Sequence, residues 1–235
     1  MRRLLFLVAL ALAFCGFTAL GAWQVQRLHW KHALIARVDA RVHAEPVAPP
    51  ARNQWPQASA TRDEYRRVVV TGDYLQGHDT RVQAVTERGP GWWLLTPLRE
   101  NNGDTILVNR GFVPNDWKGE VAPPVDHVRV VGLLRMSEPR GAFLRSNDVA
   151  HNRWYSRDVA AIAQARGIGE VAPWFIDAER DASAPEWPAR GMTIVRFRDQ
   201  HLQYALTWFV LAALSLVAGW RVYTSANVGR PRPQH

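Results

Sequence analysis

Two long apolar runs frame a polar middle. Leu4 to Trp23 is twenty residues without a charge. At about 1.5 Å per residue a helix of that length covers roughly 30 Å, the hydrocarbon thickness of a bilayer. Leu202 to Trp220 is nineteen residues, again without a charge. Both runs meet the length criterion for a membrane span. The first run also has features of a cleaved signal peptide: Arg2 and Arg3 supply a basic start, and Ala19-Leu20-Gly21 fits the small-x-small cleavage pattern. A signal core is typically about 7–15 residues, shorter than this run, so the reading here is a retained anchor. Two spans put both termini on one side. Arg2, Arg3, Arg221, Arg230 and Arg232 then place the ends in the cytoplasm. Arg27, Lys31, Arg196 and Arg198 flank the opposite ends of the spans. The 177 residues between them form too long a loop for that local charge count to govern.

Within the spans, Ala9, Ala13 and Gly16 form one small-residue stripe, and Ala205, Ala212, Ser215 and Gly219 form another. Small residues let helices approach closely in lipid, so the spans are expected to pair as a hairpin. Residues 24–43 continue as an amphipathic helix with Trp23, Arg27, Trp30 and Leu34 on one face, suited to the headgroup region. Pro46, Pro49, Pro50 and Pro56 then mark an extended linker.

Strand patterns follow at Tyr65–Thr71, Thr80–Glu87, Trp92–Leu98, Thr105–Val108, Val128–Leu134 and Val171–Asp177. Gly89-Pro90-Gly91 reads as a turn, and Asn101-Asn102-Gly103-Asp104 as a hairpin. Asp158–Arg166 is a helix with Asp158 as N-cap and Gly167 as its stop. The expected architecture is a two-helix transmembrane hairpin carrying an extramembrane α+β domain, predominantly antiparallel and arranged as a small barrel. Its divisions are 1–23 (first span), 24–57 (interfacial helix and linker), 58–200 (β-rich domain), 201–220 (second span) and 221–235 (basic tail).

The net charge of +8 suggests nucleic-acid binding until the charges are located. All 21 acidic residues lie between Asp39 and Asp199, and the five tail arginines account for most of the excess, leaving +3 on residues 24–200. Basicity confined to tails beside apolar runs argues for membrane topology and against a nucleic-acid partner. The single cysteine, Cys15, excludes an internal disulfide, a CxxC pair and a cysteine zinc site. No GxGxxG, Walker A, GxSxG or HExxH pattern occurs, and no nucleophile–base pair can be placed. A membrane-anchored hydrolase is therefore disfavoured and no enzyme activity is expected.

Three candidates for chemistry remain. His29 and His32, three apart on a helix, are either metal ligands or interfacial polar residues. Asn109-Arg110-Gly111-Phe112-Val113-Pro114 is either a recognition turn offering Arg110 to an anionic group of a partner, or an arginine pinning a strand end beside a special glycine. His201 opens the second span, with Tyr204, Ala205 and Trp208 following on its helix face. An imidazole at a membrane entry is either an axial haem ligand or a helix anchor, and Arg27, Arg196 and Arg198 are cations suited to haem propionates.

Four ordered blocks run along the chain: Gly21-Ala22-Trp23-Gln24 with Arg27, Trp30-Lys31 and Leu34-Ile35; Gly89-Pro90-Gly91 with Thr96-Pro97; Val108 to Pro114; and His201-Leu202-Gln203-Tyr204-Ala205-Leu206-Thr207-Trp208-Phe209. In this order, between two spans, they resemble the Surfeit locus 1 family of cytochrome c oxidase assembly factors. The resemblance implies two transmembrane helices, an outward domain in the periplasm and a bacterial inner-membrane location. It further implies a non-enzymatic role where haem a enters oxidase subunit I, alongside other assembly factors. It implicates His201 in binding haem a, as the iron ligand. Arg27, Arg198, Trp208 and Tyr204 are the residues expected around it on this chain, and Arg110, Trp23 and Trp30 those expected to face partners. The family often has asparagines before this histidine, where this chain has Asp199-Gln200. The alternative is a cofactor-free scaffold that stabilises an oxidase assembly intermediate.

Overall fold

The first apolar run does not end where its charges begin. With no proline before Pro46, a single helix α1 (Arg2–Val42) runs for 41 residues, about 60 Å at the usual rise. Its counterpart α4 (His201–Val228) carries the second apolar run. The computed structural model describes residues 1–119, 122–139, 145–182, 185–193 and 200–228. These fall into two units, Met1–Arg37 with Arg196–His235, and Val38–Val195.

In the first unit, both helices are long and apolar enough to cross a membrane, and only 6% and 11% of their apolar windows are covered by protein. A core helix of a water-soluble domain would be mostly covered, so these surfaces are of the kind a membrane anchor presents to lipid.

The second unit contains six strands: β1 (Arg67–Tyr74), β2 (Thr80–Thr86), β3 (Gly89–Glu100), β4 (Thr105–Pro114), β5 (Val128–Met136) and β6 (Trp174–Ala178). It also holds a 3₁₀ turn at Arg52–Gln57, a short α2 (Ala60–Asp63) and α3 (Val159–Arg166). Asp158 caps α3 by accepting from the Ala161 amide at 3.2 Å, and Gly167 stops it at φ +62°. The strand order is β1-β5-β6-β4-β3-β2, and β1 pairs again with β3. Five strands thus close a ring, with β2 laid along the first half of β3.

The sheet is mixed, which corrects the antiparallel expectation in part. β4 and β6 run parallel, with Leu107, Val108 and Asn109 opposite Phe175, Ile176 and Asp177. β4 is buried on both faces from Thr105 to Val113, the continuous pattern that parallel neighbours tolerate. The Gly89-Pro90-Gly91 turn is likewise corrected: the hairpin turns at Glu87-Arg88, and β3 begins at Gly89. Pro97 sits within β3 without costing a bond to β4. Its carbonyl accepts from Leu75, so the missing N–H faces the side where β2 has ended and β1 takes over.

One core cluster joins Val68, Val70, Leu98, Val108, Leu134, Trp174 and Ile176, with Trp55 meeting Trp174 edge-on at 5.8 Å. The other packs Val159, Ile162 and Ala163 of α3 against Val82, Leu95, Leu107 and Phe175. Alternate residues of β4 and β6 feed the two clusters, so these strands are the wall between them.

The ring closes where Gly72 of β1 faces Glu100 of β3. A Cβ on Gly72 would stand 2.0 Å from the Arg99 carbonyl oxygen, so Gly72→Ala should destabilise the barrel by about 3 kcal/mol in a denaturant titration. Asp63 is wholly buried. Burial alone would raise its carboxyl, but the Ser59 amide and the Arg66 and Arg62 guanidiniums more than offset this and hold it below the usual value. A depressed carboxyl stabilises the fold above its unfolded pKa, and that stability is lost as pH falls through the folded value. The barrel's melting temperature should therefore fall below about pH 4, and Asp63→Asn should flatten that limb while costing about 2 kcal/mol at pH 7.

Candidate functional site at the head of the helix pair

Coverage along the two helices follows a heptad. On α1 the covered positions include Leu7, Leu10, Phe14, Phe17, Gly21, Gln24 and Leu28; on α4 they include His201, Ala205, Trp208, Ala212, Ser215, Gly219 and Val222. Spacings of three and four residues on both sides mark an antiparallel, coiled-coil-like seam. The small-residue stripe expected on α4 lies on this seam. Of the one expected on α1, Ala13 is partly covered but Ala9 and Gly16 are exposed, and the close approach occurs at Gly21 instead. A Cβ there would stand 2.6 Å from the Phe209 ring. Phe17 stacks on Trp208 with centroids 5.7 Å apart and 21° between planes.

At the head of the seam an apolar pattern meets a polar pair. His201 Nδ1 lies 2.8 Å from Gln24 Oε1. A carbonyl oxygen facing Nδ1 selects the tautomer with the proton on Nδ1 and the lone pair on Nε2. Gln24 is thus the site residue that sequence reasoning passed over. Its signal was available: it is the polar member of an otherwise apolar heptad.

The remaining candidates distribute unevenly. Trp208 packs into the seam beneath His201, while Tyr204 is exposed on the outer face of α4. Arg27 lies one turn beyond Gln24, its guanidinium 4.2 Å from the Trp30 ring centre, and Trp23 and Trp30 are both exposed. Arg196, Arg198 and Asp199 lie outside the described residues. Among the described residues no cluster of three or more histidine, cysteine or acidic side chains can hold a metal ion.

Arg110 belongs to the second unit, and here the recognition turn is corrected. Asn109–Pro114 is strand, and Arg110 is buried within it. Its guanidinium donates to the Ala122 carbonyl at 3.2 Å, stands 3.6 Å from Asp79, and lies over the Tyr74 ring. Burial pushes the Tyr74 phenol up to about 12, against the pull of Arg190 and Arg110. Gly111 takes φ +132° and lets Phe112 pair with Ala189 through both backbone groups. The arginine pins the strand from inside.

A family model described as the SURF1 family matches residues 11–213, from within α1 through the barrel to the middle of α4. The chain belongs to the SURF1 family. It is 37% identical to Surfeit locus protein 1 of Mus musculus over 83% of this chain and 68% of the relative. Similarity to Surfeit locus protein 1 of Homo sapiens is also 37%, over 89% of this chain and 75% of the relative. A SURF1-like protein of Monosiga brevicollis is 34% identical over 84% and 79%. The matched region of this SURF1-family chain contains both Gln24 and His201.

Gln24→Leu should leave the helix pair folded but release the tautomer. The His201 ring nitrogens, read by ¹⁵N NMR, should shift from the Nδ1–H form toward the Nε2–H form that predominates in free imidazole.

Proposed function

We propose that the protein is a membrane-anchored assembly factor for cytochrome c oxidase that holds haem a near its point of entry into subunit I. The reading is non-enzymatic. It places the protein in a bacterial inner membrane, both termini cytoplasmic and the barrel periplasmic, working with subunit I and other assembly factors. The observation that carries it is the fixed imidazole: His201, oriented by Gln24, at the head of a helix pair in a chain of this family. Haem, when bound, would supply the iron that an imidazole nitrogen ligates. Arg27, and Arg198 beyond the described residues, would offer charge to its propionates, and Trp208 an apolar wall. Tyr204, on the outer face, would pack against the bound group.

The closeness of the seam favours a second reading. With Gly21 against Phe209, the helices leave no gap there for a porphyrin, as suits a scaffold that binds subunit I through its outer faces without any cofactor.

Protein purified from cells making haem a separates the two readings. A stoichiometric haem spectrum in the wild type, falling to under about a tenth in His201→Ala, is the expected result. No haem in either protein, with subunit I still co-purifying, would leave the scaffold.

A further inference from the structure

Four guanidiniums line one groove on the second unit. The groove, about 390 Å³, is bounded by Arg41, Arg62, Arg66 and Arg67, with the exposed Val47 and Ala44 as its apolar part. Like charges gathered this way repel unless something neutralises them. Arg67 is neutralised: it donates through Nε and Nη2 to the Glu179 carboxylate. Glu45, at the rim, acts on Arg67 as well. Arg62 and Arg66 share one carboxylate, the buried Asp63, which takes Arg62 Nε and Arg66 Nη1. Arg41 pairs with no carboxylate among the described residues; its two terminal nitrogens donate to the backbone carbonyls of Glu64 and Thr61. Neither terminal nitrogen of Arg62 bonds to another described group, and its side chain is 48% exposed.

Arg41, Arg62 and Arg66 outnumber the carboxylates beside them, the buried Asp63 and the rim Glu45, so the groove is positive, with Arg62's exposed terminal nitrogens as its open donors. Guanidinium forks match carboxylates, and the arginine stems with Val47 and Ala44 make the adjoining surface apolar. We infer that this groove docks an acidic segment of a partner protein, its carboxylates on Arg41, Arg62 and Arg66 and a neighbouring apolar side chain on Val47. The alternating demand, charge beside hydrocarbon, favours a peptide over a bare phosphate. An anionic lipid headgroup is the rival occupant that the experiment tests.

The full chain in nanodiscs of neutral phosphatidylcholine is titrated with a fluorescent peptide of alternating glutamate and leucine. A lysine–leucine peptide and inorganic phosphate serve as controls. Saturable binding of the acidic peptide alone is expected, weakened about fivefold by Arg62→Gln, further by Arg62→Glu, and by added salt. Arg62 is chosen because its terminal nitrogens support nothing else, and a thermal melt checks each variant; if Arg62→Glu melts early, Arg62→Gln decides. Absence of saturable binding, equal binding of the lysine peptide, or binding unchanged by Arg62→Gln would overturn the proposal. So would displacement of the peptide by millimolar phosphate or by phosphatidylglycerol in the disc, which would mark a phosphate site instead.

Discussion

A single buried carboxylate organises the barrel. Asp177 on β6 accepts from Asn109 of β4 at 2.8 Å, Arg135 of β5 at 3.2 Å, Arg157 ahead of α3 at 3.2 Å and Thr193 at 2.8 Å. Arg135 continues to Glu64, which also takes the Met136 amide, and Arg157 continues to Glu138. A charge withdrawn from water is tolerable only when its partners are complete. Each of these groups is therefore conditional on the others. The network exists because the parallel register sets Asn109 opposite Asp177. Asn109 in turn accepts from the Gly111 amide at 3.2 Å, just where the backbone takes its positive φ. The strand that buries Arg110 and the network that holds the sheet are two faces of one constraint.

What the sequence reveals depends on how far apart the partners lie. The two spans, α3 with its cap and stop, β2 and most of β5 are local patterns, and local patterns suffice for them. The parallel pairing of β4 with β6 is not local, because a strand and a helix intervene. An uninterrupted apolar run such as Ile106–Val108 fits either direction of pairing. Gly89-Pro90-Gly91 has turn composition, yet Gly91 is needed where the Val113 carbonyl and the Phe112 ring come close, and only the folded sheet shows that need.

The helix pair shows the same limit more sharply. An alanine-rich helix offers several small-residue stripes, and composition does not choose among them. The choice is made by the other helix: Phe209 requires a glycine opposite, and His201 requires an acceptor. His201 was legible from its own position at the start of an apolar run. Gln24 was legible only as an exception to a heptad whose register α4 helps define.

That seam has a further consequence in time. Gln24 and His201 are 177 residues apart in the chain. At synthesis rates of about 5–20 residues per second, α1 is complete roughly 8–32 s before the first turn of α4 is made. Throughout that interval the notch at Gly21 and the amide of Gln24 face whatever surrounds a newborn helix. The pair can therefore close only after the whole barrel has been synthesised, so α1 must persist in the membrane for that interval with this face unmatched by α4.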